Sequence, residues 1–526
     1  MEGISDPAIT QKPLFCRDQD APRTYTEVML CFPVEGDPTH ALNHLKGSVT
    51  FLENNYPLFT ARLVPSPNDD SGRLHLSTSS VKGVYDLPFV GSTRFYNEDG
   101  TFIKYDALRD AGFPVSELSV IFARDDAAVR IHTQPLSVAL VHGVALDRGL
   151  LVRILVHHAL FDGHMRSHFI DCLAAATRGQ TRLKSPTKTS FPFDYDHNQS
   201  FRKRLSGCPE LVLFPHPMPS PRLSNMVHGG YPHEGIPKTS KVFVFSEAKV
   251  KELQELLYRH SASSPPPGSS AAGEGKENKA AVLSTYVCIS ALTFAHVVRA
   301  RLRGEGFQYL SQTAHASSAV LRHEVDFRRR AFISQNLAET YFGNATVSVF
   351  TRVSQALVLA AAGAMGQLGG VAFPLRDKVD VDGSGKAEKL AGLAREIKGS
   401  LDAVDEDYVR ARLAVAETVS DPRRLGLDYD PRQPQVLGFN SWRYTGGSEP
   451  WGFPSSTSSS SSSSGEQGQR PEAFRVARGY SMHNALILPQ RHGSRDQEVL
   501  VSLSQVAMGE LLKDVGWMKW VRETRD

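Results

Sequence analysis

Two apolar runs, Ser137 to Leu146 and Leu150 to Val156, stand on either side of the turn-forming triplet Asp147-Arg148-Gly149. A connection that short predicts a hairpin of two antiparallel strands. The second run is almost unbroken in its apolar character, with Arg153 as its one polar residue. Such a strand does not alternate between a wet and a dry face; it belongs inside a sheet covered on both sides.

This buried strand ends abruptly in His157 and His158. Neighbouring strand residues point to opposite faces, so the two imidazoles cannot share one cavity while the strand lasts. One is a candidate base and the other a packing residue. Asp162 and Gly163 follow as a tight turn, with Asp162 placed to cap a helix whose apolar face is Met165, Phe169 and Leu173. The unit reads strand, histidine, turn, helix. A lone histidine at a strand end has an equally ordinary reading as a hydrogen-bonded structural imidazole.

At 526 residues the chain exceeds what one hydrophobic core serves, and two domains of similar size are expected. Hydrophobic residues at 41% and charged residues at 22% are globular values. A formal net charge of +3, with no basic run denser than Arg328-Arg329-Arg330, argues against a nucleic-acid partner and favours a small one. Cys16, Cys31, Cys172, Cys208 and Cys288 show neither CxxC spacing nor an even number, so no disulfide framework or zinc ribbon is indicated. The start of the chain lacks the pattern of a signal peptide, and no apolar run approaches the roughly 20 residues of a membrane helix. A cytoplasmic monomer without a membrane partner is the expectation.

Taken in order, Tyr25 to Phe32 reads as a strand, and Asp37-Pro38 opens a helix with Leu42, Leu45, Val49 and Leu52 on one face, ending at Tyr56-Pro57. Residues 1–205 form the expected N-terminal domain and 206–240, rich in Pro, Ser, His and Gly, the crossover. Residues 241–526 form the C-terminal domain. Lys241 to Phe245 is a predicted strand, and Ser246 caps a helix with Val250, Leu253 and Leu257 buried. Ser284 and Thr285 cap another, and a single helix is expected over 387–413. Inserts at 261–280 and 455–469, the second carrying the serine tract Ser455 to Ser464, have too little apolar surface to order.

The string His158-Ala159-Leu160-Phe161-Asp162-Gly163, with His157 before it, resembles the HHxxxDG signature of BAHD acyl-CoA transferases and of peptide-synthetase condensation domains. Three later strings resemble the BAHD family in order and spacing: Val325-Asp326-Phe327-Arg328, Tyr341-Phe342-Gly343-Asn344 and Asn440-Ser441-Trp442. Where the family has Asp-Phe-Gly-Trp-Gly, this chain reads Ser448-Glu449-Pro450-Trp451-Gly452, which loses the aspartate and puts local structure there in question. The closest resemblance is to the fungal branch that acylates trichothecene-like secondary metabolites.

The resemblance implies an α/β fold of two similar chloramphenicol-acetyltransferase-like domains, each a mixed sheet with helices, around a central channel. It implies transfer from acyl-CoA, as co-substrate, to a hydroxyl or amine of a small acceptor, with no permanently bound cofactor. His158 is the candidate general base, a role worth about 10² to 10⁴ in rate. The indole NH of Trp442, with the amide of Asn440, would face the oxyanion, one such donor being worth roughly 10² to 10³. A thioester is already activated, so neither a covalent enzyme intermediate nor a metal is required.

Asp162 invites a triad-like role toward His158. In the family the equivalent carboxylate turns away to an arginine, matched here by Arg328, so Asp162, Gly163 and Arg328 are expected to be structural at the site. A metal site from His158, His164 and His168 lacks the Glu of HExxH and is read as a solvated helix face. Two other functions share these strings: a carrier-protein-dependent condensation domain, and an inactive relative that only binds.

Overall fold

The computed structural model describes residues 9–66, 72–94, 103–123, 135–217, 238–262, 283–309, 318–363, 384–431, 433–443, 449–453, 468–476 and 484–525. Ala139–Leu146 and Gly149–His157 form the antiparallel hairpin, in register from Leu146↔Gly149 to Ala139↔Val156. All of Gly149–His157 is buried. The hairpin lies within a five-stranded sheet ordered Ala473–Val476, Tyr25–Pro33, Gly149–His157, Ala139–Leu146, Phe89–Thr93, in which the last pairing alone is parallel.

Period-two alternation divides this sheet between two layers. Val28, Leu30 and Phe32, with Val152, Ile154 and Val156, pack against the helices Pro38–Asn55 and Gly163–Thr177. Met29, Cys31 and Leu151 face the opposite way, onto Tyr105–Asp110 and Val115–Ala123. The apolar strand is therefore covered on both sides. The Pro38–Asn55 helix starts as its sequence requires, with the Asp37 side chain accepting the Thr39 N–H at 2.9 Å and proline in the first turn.

A second sheet of seven strands runs Thr346–Ser354, Ser318–Asp326, Val436–Ser441, Asn484–Ile487, Gln497–Ser504, Lys238–Phe245, Glu523–Arg525. Val436–Ser441 is parallel to both neighbours, so this sheet too is mixed. Its core is sealed by the helices Glu247–Ala262, Thr285–Tyr309 and Ser384–Asp402. Ser246 and Ser284 accept the Lys249 and Val287 N–H groups, each at 3.3 Å, and so begin the first two of these helices.

The helix expected over 387–413 is instead two, Ser384–Asp402 and Glu406–Thr418. Asp405 takes an extended backbone and accepts the Tyr408 N–H at 2.8 Å, so the chain restarts a helix where the apolar spacing alone continued one. The two halves are also laced together. Ala473–Val476 completes the first sheet beside Tyr25–Pro33, while Phe15 and Cys16 from the start of the chain pack in the second core.

Within the stretch read as the crossover, Leu211–Leu213 pairs with Leu425–Leu427, and residues 218–237 lie outside the described residues. Positions 263–280 and 455–467 of the two inserts also lie outside them. The ends of those inserts are built into the fold. Residues 261–262 close the Glu247–Ala262 helix, and Gln469 pairs with Trp451 through two backbone hydrogen bonds of 2.7 and 2.8 Å.

Candidate active site

His157 is the last residue of its strand and fully buried. Its Nδ1 accepts the Ala159 N–H at 3.2 Å, and its ring meets Tyr25 edge-on with centroids 5.0 Å apart. His158 is the first residue past the strand. Its backbone is held on both sides: its N–H donates to the Thr24 carbonyl at 2.8 Å, and its carbonyl accepts from Asn344 Nδ2 at 2.9 Å. The half-buried imidazole lines a cavity of about 660 Å³. Burial pushes its pKa below the usual 6.5 and the Arg166 charge adds to this, against Asp162 and Glu324, so the ring is neutral at pH 7.

Asp162 caps the Gly163–Thr177 helix through Oδ1, which accepts the Met165 N–H at 3.0 Å. Its Oδ2 accepts from Arg328 Nη1 and from the Ala345 N–H, both at 2.8 Å. Burial works against this charge, but the Arg328 charge and hydrogen bond outweigh it and hold the carboxyl down at about 2. Both oxygens are thus spent on the scaffold. Arg328 also donates to the Gly343 carbonyl at 2.6 Å, and both side chains of the pair are 1% exposed.

The same cavity is lined by Asp162, Gly163, Arg166, Asn440 and Trp442, whereas Arg328 sits behind it. Asn440, next to last in the Val436–Ser441 strand, accepts the Ser441 N–H on Oδ1 at 2.7 Å, which turns its NH₂ away from that contact. Trp442 is anchored by its backbone N–H on the Ile487 carbonyl at 2.8 Å. The guanidinium carbon of Arg166 lies 3.5 Å from the Trp442 ring centroid, a close cation–π stack that orients the indole.

His164 and His168 turn to separate partners, the Ala338 carbonyl at 3.2 Å and Ser185 Oγ at 3.3 Å. In the altered string, Ser448 lies outside the described residues, while Trp451 is fully buried and stacks on Phe453 with centroids 5.6 Å apart. Gly452 donates its N–H to Thr177 Oγ1 at 2.9 Å, and a Cβ there would collide with the Thr177 carbonyl. Trp451 and Gly452 therefore keep the loop packed on the end of the Gly163–Thr177 helix without the aspartate.

Two site residues escaped the sequence reading. Arg166 lies one helical turn beyond Asp162, a spacing that could have marked it as a neighbour of that residue. Asp18, in the short helix Cys16–Gln19, has no local signature. It is buried, and its carboxylate accepts from the Asn344 N–H at 2.6 Å, Asn344 Nδ2 at 2.9 Å and the Tyr341 hydroxyl at 2.9 Å.

The family model described as the Transferase family matches residues 13–361 of the sequence. The chain belongs to that family. It is a BAHD-type acyltransferase. Among solved structures it is similar to TRI101 of F. graminearum complexed with coenzyme A and T-2 mycotoxin, at 14% identity and a TM-score of 0.68, over 98% of this chain and 99% of that one. TRI101 of F. sporotrichioides, complexed with coenzyme A and T-2, gives 15% identity and a TM-score of 0.63 over 97% and 98%. Vinorine synthase gives 14% identity and a TM-score of 0.55 over 98% and 95%. These likenesses carry the two-domain mixed α/β fold. No curated protein sequence matches the chain.

Proposed function

We propose that this enzyme transfers an acyl group from acyl-CoA to a hydroxyl or amine of a small secondary metabolite, with His158 as general base. The observation that carries the reading is the His158 imidazole on the wall of the cavity it shares with Trp442 and Asn440, where burial favours its neutral form. In the proposed reaction His158 takes the acceptor's proton as its oxygen or nitrogen attacks the thioester carbonyl. The Trp442 indole NH and the Asn440 amide then face the oxyanion of the tetrahedral intermediate. Collapse breaks the carbon–sulfur bond, and the departing thiolate recovers the proton from the imidazolium.

Coenzyme A in the complexes of both TRI101 enzymes supports acyl-CoA as the donor, and the T-2 and deoxynivalenol in those complexes support a small acceptor. Asp162, Gly163 and Arg328 serve in this reading as scaffold, keeping the His158 turn on the helix start. Five buried free cysteines are compatible with a reducing, cytoplasmic setting. Among the described residues no helix is long and apolar enough to cross a membrane.

Incubating the protein with several acyl-CoAs and a set of hydroxylated and aminated metabolites, followed by mass spectrometry, tests the proposal. The expected result is an acceptor heavier by one acyl group, with free CoA released in equal amount. Transfer that proceeds unchanged in His158→Ala would overturn the assignment of the base.

A further inference from the structure

We propose that Asp18 is a positioning residue for acyl transfer: its carboxylate holds Asn344, and Asn344 holds the backbone of His158 at the cavity wall. This role rests on the reading of His158 as the base. The side-chain amide of Asn344 bridges two residues remote in sequence, donating from Nδ2 to Asp18 Oδ1 at 2.9 Å and to the His158 carbonyl at 2.9 Å. Its backbone N–H adds a second bond to Asp18 at 2.6 Å. The residues on either side complete the clamp, since Gly343 accepts from Arg328 and Ala345 donates to Asp162. The turn that carries His158 is therefore gripped at His158 and at Asp162 by the 343–345 segment, and Asp18 grips that segment from behind.

The chemistry of Asp18 argues for use rather than mere packing. Its side chain is buried, it makes no ion pair among the described residues, and its donors are all neutral. A buried carboxylate in that setting opposes folding, and groups of this kind concentrate at functional sites. The fit is close: a Cβ on Gly343 would stand 2.7 Å from Asp18 Oδ2. The groups around it are Tyr341 and Asn344 in direct contact, and Asp162 beyond them. Arg17 of its own helix pairs with Asp20 just past the helix end, Glu417 of the Glu406–Thr418 helix acts on the adjacent Cys16, and Arg328 acts on Tyr341. Burial raises the Asp18 carboxyl to about 7, against the hydrogen bonds of Asn344 and Tyr341 and with the charge of Asp162.

The two ionisations separate in pH. His158 loses its proton below the ordinary 6.5, so it is already neutral where Asp18 becomes charged, at about 7. Charge-assisted hydrogen bonds are about twice as strong as neutral ones, so the clamp tightens as Asp18 ionises. The acid limb of the rate then reports Asp18 rather than the base.

The test uses the full chain with acetyl-CoA as donor and water as acceptor, following thiol release from about pH 5 to about pH 9. It adds NMR of protein labelled with ¹⁵N in its imidazoles, the His158 signal being assigned by its loss in His158→Ala. Wild-type kcat should rise through about 7. Asp18→Asn, which keeps the shape, should lower kcat roughly tenfold, leave KM for acetyl-CoA within about twofold, and move the acid limb to the His158 value. Its His158 signal should shift as well. Tyr341→Phe removes one donor to the carboxylate, so it should move the limb upward, which a purely structural role would not do.

An unchanged limb in both variants with an unmoved His158 signal overturns the role of Asp18, and if His158→Ala abolishes release, the general-base reading stands. Release by His158→Ala equal to the wild type overturns that reading instead. If water proves too poor an acceptor to measure, the NMR arm decides alone, and an unmoved His158 signal in Asp18→Asn refutes the proposal.

Discussion

Removing Asp162 should unfold the protein more readily before it does anything specific to the chemistry. The shift of its carboxyl from the ordinary 3.8 to about 2 corresponds to ~2.5 kcal/mol of stability at neutral pH. Because the folded carboxyl is the more acidic, that contribution is fully present above pH about 4 and is lost as the pH falls toward 2. Asp162→Ala goes further. It leaves the Arg328 guanidinium buried without this partner, and it frees the Met165 and Ala345 N–H groups. Breaking such a pair typically costs about 3–5 kcal/mol, and losing the helix cap about 1 kcal/mol more. Asp162→Asn keeps an oxygen for Met165 and should fall between the two proteins. Thermal and urea unfolding at pH 7, repeated near pH 3, would read the order wild type, Asn, Ala and the narrowing of the first gap in acid. An Asp162→Ala protein that unfolds like the wild type yet transfers no acyl group would refute a scaffold role and make the aspartate part of the reaction.

His158→Ala should abolish transfer with little change in the melting curve, while His157→Ala should cost stability but far less activity; equal and complete loss from both, with both folded, would sink the division of roles. Asp18 should show the opposite linkage to Asp162: its folded pKa of about 7 stands above the ordinary 3.8, so stability is highest below about pH 4 and declines as pH rises to about 7. Asp18→Asn should therefore match the wild type in acid and exceed it at pH 8 by on the order of 4 kcal/mol in parallel denaturant titrations. Shortening Ser455 to Ser464 to two or three residues should leave melting temperature and transfer nearly unchanged, because Trp451 and Gln469 are already bonded to each other at the ends of the loop. Closure cost changes by only roughly 0.6 kcal/mol per doubling of length. Loss of one acceptor with an intact fold would show that the tract reaches the substrate.

The sequence alone determined what depends on neighbours along the chain. The hairpin at Gly149, the doubly covered strand, the Asp162 cap and the Gly163–Thr177 helix follow from apolar period, turn residues and capping chemistry, all of which act within a few positions. The break at Asp405 was legible in the same terms, as an aspartate before Glu406 and Asp407, but the apolar spacing that continued past it hid the restart. Tertiary structure decided the rest. Asp18 meets Asn344 across 326 residues, Ala473–Val476 joins the first sheet rather than the second, and Arg166 covers Trp442. None of these has a local signature, because a buried carboxylate, an edge strand and a stacked guanidinium owe their places to distant partners that become neighbours only once both cores have closed.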